Sequence, residues 1–423
     1  MTQPQRKIDV IVDGQPVSDS IIKKYDLNKE KDISYSKNQE SYVSIFVGIV
    51  QRRESILVSL PKHFKHVEDF KNSNYETQKK DIRLIMDCIS ESTHDLQNAK
   101  YDLNKESSSD FPIEMYFNIY RYFARYGLYH EEYREVKPNN GSKILWKETI
   151  KNSMKFIVNG NLIFSPIFYQ RVRDNETIIT DCMVTIINYT TSILGDFFTL
   201  PDNSMLVNRG INLSIFDNES VIYRLEEILS KTFKDINQEL IRNIITYIKF
   251  ANSLKKETLS IKYYNFASTW ETAVQKYLND HFCGVDRNNN MIFTDKGSQK
   301  IFTKTPIYYN SVSKYSNWYI EPDHTLVDVS NKVIYLLDSK YYTKLTDINH
   351  KQFMYHILYK NKYPYFHVYD SLLLPYEGNN FSDEYVDIKD DFLLQCGNNL
   401  KENAITIYIT KLNTVEVLKN YIS

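Results

Sequence analysis

No run of about eighteen apolar residues occurs in the sequence, so no segment reads as a membrane-crossing helix. Cysteine is scarce: Cys88, Cys182, Cys283 and Cys396 lie far apart and form no C-x-x-C pair. That spacing argues against a zinc site or a disulfide framework and leaves buried, reduced thiols as the expectation. No G-x-x-x-x-G-K-[ST] loop is present, so the chain offers no nucleotide site of that kind. Neither sign of charge is in excess, with 52 Lys and Arg against 53 Asp and Glu and a net charge of −1. A chain of this charge that acts on a polyanion must gather its basic residues on one face or borrow a partner's affinity. The N-terminus, MTQPQRKIDVIVDGQ, lacks the apolar core of a signal peptide, and the expected setting is cytoplasmic, with no membrane. No repeat of fixed period and no low-complexity tract is seen.

What is present is an ordinary globular composition, 42% hydrophobic and 25% charged, in 423 residues. That length suits two or three domains. The most informative stretch is Trp318–Tyr342, WYIEPDHTLVDVSNKVIYLLDSKYY. Val333–Leu337 is a short apolar run rich in β-branched and aromatic residues, the pattern of a strand buried on both faces. It ends in Asp338-Ser339-Lys340, and side chains two apart on a strand share a face. Tyr319–Val329 can pair with it antiparallel across Ser330-Asn331-Lys332. A turn centred between Ser330 and Asn331 places Asp323 opposite Asp338; a centre one residue later places it opposite Lys340. Either register gathers two carboxylates and an ammonium at the end of a buried strand.

Buried carboxylates are costly unless compensated. Mg²⁺ compensates them, because it takes oxygen ligands and keeps waters for chemistry and for phosphate oxygens. A lysine beside them can orient or deprotonate a water, or hold charge developing on a phosphate. The residue set therefore points to phosphodiester hydrolysis, against the plainer reading of a strand ending in a solvated Asp-Ser-Lys. Glu321, two residues before Asp323, is a rival acid on the same face of an extended strand.

Pro322-Asp323, with Asp338-x-Lys340 fifteen residues on, resembles the PD-(D/E)xK nuclease signature. That superfamily often adds an acid on a preceding helix, a place filled here by Glu271 in YYNFASTWETAVQKYL, with Ser268 or Thr269 as N-cap. Trp270, Val274, Tyr277 and Leu278 would form the buried face of that helix. The resemblance further implies polar residues on the helix after the hairpin, where Lys351-Gln352 stand; related nucleases carry a Tyr one turn after the Gln, and here Tyr355 or His356 is nearest. Together these features are similar to the McrC type of nuclease subunit and, more closely, to the LlaJI-type restriction endonucleases. ILWKETI (Ile144–Ile150) resembles a short motif of the latter, and the strand pair ending at Pro61-Lys62 resembles the N-terminal region of the former.

The resemblance implies a Mg²⁺-dependent endodeoxyribonuclease acting on double-stranded DNA as the cleavage subunit of a restriction, anti-phage system. Asp323, Asp338 and Glu271 are its expected metal ligands, Lys340 and Gln352 its further catalytic residues, and Lys344 and Lys351 candidate DNA contacts. It also implies a separate McrB-like GTP-hydrolysing motor as partner, with a cognate methyltransferase possible in the same system. Two alternatives stay open: a catalytically idle nuclease fold that regulates a partner NTPase, and a nuclease of the same fold in recombination or repair. His324, His350 and His356 read as structural or DNA-facing, because His is a poor Mg²⁺ ligand.

The expected fold is α/β (α+β), in three parts. Residues 1–178 are a β-rich, mixed α/β region for partner docking; it is loosely held to about Gln39, then forms strands within Ser41–Phe64 around the turn Arg52-Arg53-Glu54. Helices are expected over Tyr75–Lys100 and Phe111–Tyr126, and β-structure over Lys155–Gln170. Residues 179–257 are a helical arm (helices over Asp181–Phe198, Ser220–Thr232 and Glu239–Phe250) ending near Lys255-Lys256-Glu257. Residues 258–423 are a PD-(D/E)xK nuclease core, a mixed sheet flanked by helices. Its strands lie over Ile292–Phe302, Pro306–Tyr309, the hairpin, Tyr365–Leu374 and Ala404–Thr410, with Asp347–Asn361 helical and Phe353 and Ile357 on the apolar side. Ser382–Phe392 is acidic and expected to face solvent.

Overall fold

The structure, a computed structural model, describes all residues except 1–6, 53–54, 99–111, 201, 203, 254–257, 295–296, 298–299, 309–318, 345–349, 379–382 and 388–404. Cys396, Lys255-Lys256-Glu257, the turn residues Arg53 and Glu54, Phe111, Trp318, Asp347 and most of Ser382–Phe392 thus lie outside the described residues. The chain divides into two compact units. One comprises Met1–Phe111, Asp196–Thr199 and Glu257–Ser423, the other Pro112–Gly195 and Leu200–Lys256.

Among the described residues the first unit holds two larger sheets and three two-stranded ones. In the N-terminal sheet, β1 (Lys7–Val12), β2 (Val47–Arg52), β3 (Ser55–Leu60) and β4 (Thr258–Tyr263) run in the order β1-β3-β2-β4. The apolar runs FVGIV and ILVSL make the central hairpin because both faces of β2 and β3 are covered. Gly48 sits in β2 at φ 144°, and a Cβ there would lie 2.0 Å from the Ile261 carbonyl oxygen of β4. Only glycine lets β4 approach that closely.

The expectation of a loose segment up to Gln39 is corrected. β1 pairs parallel with β3, and a helix (Asp19–Tyr25) and a strand (Ile33–Ser36) follow. Ile11, Val17, Ile22, Tyr25, Leu27 and Ile33 join Phe46, Val50 and Leu57 in one buried cluster. Beyond the short run Val10–Val12 and the pair Ile21-Ile22, the buried side chains are spread between polar and charged stretches, so the core is assembled by tertiary contact and leaves little periodic trace.

Helix α1 (Tyr75–Asn98) buries Ile82, Ile85, Met86 and Ile89, the stripe its spacing predicts. The second sheet comprises β5 (His324–Asp328), β6 (Val333–Ser339), β7 (His367–Tyr376), β8 (Asp383–Asp387) and β9 (Thr406–Asn413), in the order β5-β6-β7-β9-β8. β5 and β6 form the antiparallel hairpin, β6, β7 and β9 run parallel, and β8 returns antiparallel. The hairpin's first arm is shorter than the sequence suggests. Tyr319–Ile320 pairs with Ile307–Tyr308 instead of with β6.

Two helices cover this sheet. α2 (Phe266–His281) buries Trp270, Ala273, Val274, Tyr277 and Leu278. α3 (His350–Lys362) lays Tyr355 and Tyr359 on Ile334, Leu336 and Val368. Ile357, expected on the apolar side of α3, is instead exposed, while Phe353 packs beside Leu372, Ile405 and Ile407. A C-terminal helix, α4 (Thr414–Ile422), was not foreseen and packs on α1 and α2.

The second unit carries four main helices, Ile113–Tyr126, Ile178–Leu194, Glu219–Lys231 and Asp235–Ser253. Ile241, Ile244, Ile245 and Ile248 are buried on the last, as their spacing predicts. A short three-stranded sheet and a separate hairpin, Met154–Val158 with Asn161–Ser165, complete it. The chain is a mixed α/β protein with a β-rich N-terminal region and a mixed C-terminal sheet flanked by helices. Among the described residues no helix is long and apolar enough to cross a membrane. Cys88 and Cys182 are buried free thiols; Cys283 is also free but, against expectation, exposed.

Candidate active site

The register of the β5–β6 hairpin decides between the two arrangements left open by the sequence. His324 pairs with Leu337, so one step further along the ladder Asp323 stands opposite Asp338, not Lys340. The Ser339 backbone N–H donates to Asp323 Oδ2 at 2.9 Å and holds that carboxylate at the rim of the sheet. Asp338 is 4% exposed, and the Lys340 ammonium is bonded to its Oδ2. Lys340 is fixed in turn through its backbone N–H, which donates to the Leu373 carbonyl of β7 at 3.0 Å.

The electrostatics follow from this crowding. Burial, then the Asp338 charge and the bond between the two carboxyls, then Glu271, push Asp323 well above the usual carboxylate range; Lys340 opposes them. Two carboxyls in such contact cannot both stay ionised without a cation between them. Burial disfavours the Lys340 ammonium, but its contact with Asp338 and the nearby Asp323 outweigh it, and its pKa is raised. Lys340 therefore remains charged near neutral pH.

Glu271 lies on α2, whose N-cap is Asn265 rather than Ser268 or Thr269; the Asn265 side chain accepts from the Ser268 N–H. The Glu271 carboxylate is bonded to Lys304 and acts electrostatically on Asp323, so it belongs to the same cluster. Glu321 is partly buried, and its carbonyl accepts from Tyr355 Oη at 3.0 Å. The residue whose carboxyl meets Asp338 is Asp323, not this rival.

Gln352 makes its amide hydrogen bonds to groups other than Asp323, Asp338 and Glu271. It is 1% exposed and donates through Nε2 to the Leu336 carbonyl and to Asp370 Oδ1, both at 3.1 Å. Its Oε1 is buried without a hydrogen-bond partner among the described residues. One turn on, His356 Nδ1 lies 2.5 Å from Asp370 Oδ2. Gln352 thus ties α3 to β6 two residues before Asp338. Lys344 and Lys351 are exposed.

Three residues of this region gave no sequence signal as members of the cluster: Lys304, Asp370 and the role of His324. His324 is fully buried. Gln275 Nε2 donates to the Phe302 carbonyl at 2.6 Å, so Gln275 Oε1 is the acceptor for His324 Nδ1–H at 2.6 Å. His324 Nε2 then accepts the Ser339 hydroxyl at 2.7 Å. Burial, then Lys304 and Lys340, pull the imidazole down to about 3, so it stays neutral. This ring rivets α2 to β6 and sets Glu271, one turn before Gln275, over the acids. His324→Leu is expected to cost ~2–3 kcal/mol, since it leaves Gln275 and Ser339 polar atoms unpaired; urea unfolding measures it.

The donor set suits a hard divalent cation. It consists of carboxylate oxygens alone, and the two that touch each other require a positive charge or a proton between them. Among the described residues no group of three or more His, Cys, Asp or Glu is placed to hold a metal ion. Glu271 is held on Lys304, which leaves Asp323 and Asp338 as the pair. Two protein carboxylates are nevertheless a usual complement for Mg²⁺, which takes its remaining ligands from water and phosphate.

The sequence matches the family described as LlaJI restriction endonuclease over residues 46–410. No curated protein matches it. Among solved structures, one similar chain comes from a refined half-complex of a tetradecameric assembly of Thermococcus gammatolerans McrB AAA+ hexamers with bound McrC. It is 13% identical, with 98% of each chain covered and a TM-score of 0.38. Another comes from the cryo-EM structure of the Thermococcus gammatolerans McrBC complex, 13% identical over 63% of this chain and 85% of that one, with a TM-score of 0.25.

Proposed function

Because the chain belongs to the LlaJI restriction endonuclease family, we propose that it cuts double-stranded DNA in a Mg²⁺-dependent reaction as the nuclease subunit of a restriction system. The observation that carries this reading is the meeting of Asp323, Asp338 and the charged Lys340 at one rim of the β5–β6 hairpin. Asp323 and Asp338 would hold the ion, with Glu271 beside them. When bound, Mg²⁺ supplies polarisation of the phosphate and a more acidic water.

The protein's own residues do the rest. Lys340 is held in its ammonium form, which suits it to stabilise charge developing on the phosphate more than to remove a proton. Attack by water in line on phosphorus leaves a 5′-phosphate and a 3′-hydroxyl. The Ser339 N–H and the His324–Gln275 pair keep Asp323 and α2 in place, and so spend no reorganisation at the reacting centre. An idle fold kept only for assembly is disfavoured, since Asp323 beside Asp338 leaves more buried negative charge than the single Lys340 ammonium offsets. Mg²⁺-dependent cleavage by the full chain with its partner, lost in a Lys340→Ala variant, tests the proposal; cleavage undiminished in a folded variant would overturn it.

The chain has no phosphate-binding loop and no net positive charge, so we assign motor work and most DNA affinity to a separate GTP-hydrolysing subunit of McrB type. A docking surface in the N-terminal half supports that division. The Met154–Val158/Asn161–Ser165 hairpin turns on Asn159-Gly160, both at positive φ, the pairing favoured by tight hairpins. Met154, Phe156, Ile157, Val158, Leu162 and Ile163 are all exposed on it, Ile157 at 79%. An apolar ribbon bare on both faces marks a protein-binding site. Ile157→Asp with Leu162→Asp should abolish co-purification with the motor subunit and shift unfolding by no more than ~0.5 kcal/mol.

A further inference from the structure

Lys304 lies in a stretch without regular secondary structure, yet its backbone is pinned from three sides. Thr303 and Thr325 of β5 exchange two backbone hydrogen bonds, each 2.9 Å. The Phe302 N–H donates to Asn279 Oδ1 at 2.8 Å and its carbonyl accepts from Gln275, both residues of α2. The Thr305 carbonyl accepts from Tyr359 Oη of α3 at 3.1 Å. The side chain therefore leaves a fixed point between the two helices that flank the sheet.

Its ammonium is bonded to Glu271. Burial would depress it, but Glu271, with Asp323 and Glu321 adding their fields, holds it above its usual value. Lys340 is placed in the same way on Asp338. Three carboxylates of the cluster thus meet two ammonium groups. An ordinary surface ion pair between mobile chains is worth little and positions nothing; this one is built on a clamped backbone and ends among the acids of the cleavage site.

We propose that Lys304 is a built-in counter-cation: its ammonium is paired with Glu271, and a divalent ion entering the cluster must displace it. The inference rests on the reading of the acidic cluster as a Mg²⁺ site and adds a residue that regulates its occupancy. Displacement frees Glu271 to face the ion, so the helix-borne acid joins Asp323 and Asp338 only when the site is loaded.

The test is Mn²⁺ binding to the full chain, followed through the paramagnetic resonance signal of the free ion. Lys304→Met, which keeps the length and removes the charge, should bind Mn²⁺ about tenfold more tightly, the scale of one unit charge a few ångströms away in a partly solvated site. Lys304→Arg should keep the wild-type affinity. Glu271→Gln should bind more weakly and should erase the gain when combined with Lys304→Met. Unchanged or weaker binding by Lys304→Met, with wild type binding and Asp338→Asn not, overturns the counter-cation and leaves the metal site standing. Failure of the wild type to bind Mn²⁺ overturns both.

Discussion

Asp338→Asn is expected to lower DNA cleavage by a factor on the order of 10²–10³ while the protein remains folded, the scale of removing one preorganised electrostatic group from a reacting centre. Asparagine matches aspartate in shape and can still occupy the end of β6. What it removes is the negative charge that holds the Lys340 ammonium and completes the oxygen pair with Asp323. Asp323 would then stand alone, free of its neighbour's repulsion, and a single carboxylate holds Mg²⁺ far less well. Lys340 would lose its anchor as well, so one substitution disturbs both halves of the site. Plasmid cleavage in Mg²⁺ with the partner present, beside far-ultraviolet circular dichroism of the variant, measures the two parts of the prediction. Cleavage within tenfold of wild type would show that the chemistry lies elsewhere.

The second large effect concerns the N-terminal sheet. Lys262 on β4 meets Asp32 at 2.8 Å, with both side chains buried. The same carboxylate accepts from Tyr264 Oη at 2.8 Å and from the Asn28 N–H at 2.6 Å. It thereby joins the loop before Ile33–Ser36 to the strand that leads into α2. Asp32→Ala leaves a buried ammonium with no counter-charge and should cost ~3–5 kcal/mol. Replacing both partners, as in Asp32→Leu with Lys262→Met, should recover most of the loss, because the desolvation of both charges is relieved together. Urea unfolding of the single and double variants separates the two cases; an Asp32→Ala cost below ~1 kcal/mol would mean that water reaches the pair.

The hairpin was legible because its chemistry is local. An apolar strand ending in Asp-x-Lys and a facing Pro-Asp need only the period of two to be brought together, and the sequence left the register open by a single residue. The α2 stripe was legible for the same reason, since Trp270, Val274, Tyr277 and Leu278 repeat on one face. Lys304 was not, because its place depends on one isolated bridge to Thr325 and on three side-chain bonds from two helices. Nothing in the periodicity of Phe302–Thr305 records those partners.

Ile357 fails in a related way. Helical spacing puts Phe353 and Ile357 on the apolar side, but the Leu336 carbonyl and Asp370 draw Gln352 inward and rotate Ile357 to the surface. Asp370 itself is a lone acid within the apolar run of β7, where composition argues for a buried strand and gives no hint of the His356 that meets it. The N-terminal residues before Gln39 were misjudged because, after the short run Val10–Val12, their buried side chains are spread between polar and charged stretches, and only tertiary contacts collect them into one core cluster. Short-range patterns carry strands and helix faces; they do not carry a polar contact made across the sheet.

The central claim concerns one small volume of space, between two carboxyl groups on facing strands. Crystals of the full chain soaked in Mn²⁺ and measured at its absorption edge test it directly. A single anomalous peak about 2.0–2.3 Å from oxygens of both Asp323 and Asp338, the range of hard-ion carboxylate bonds, is the result this account predicts. A peak at other residues, or none at a saturating concentration of the ion, would contradict it.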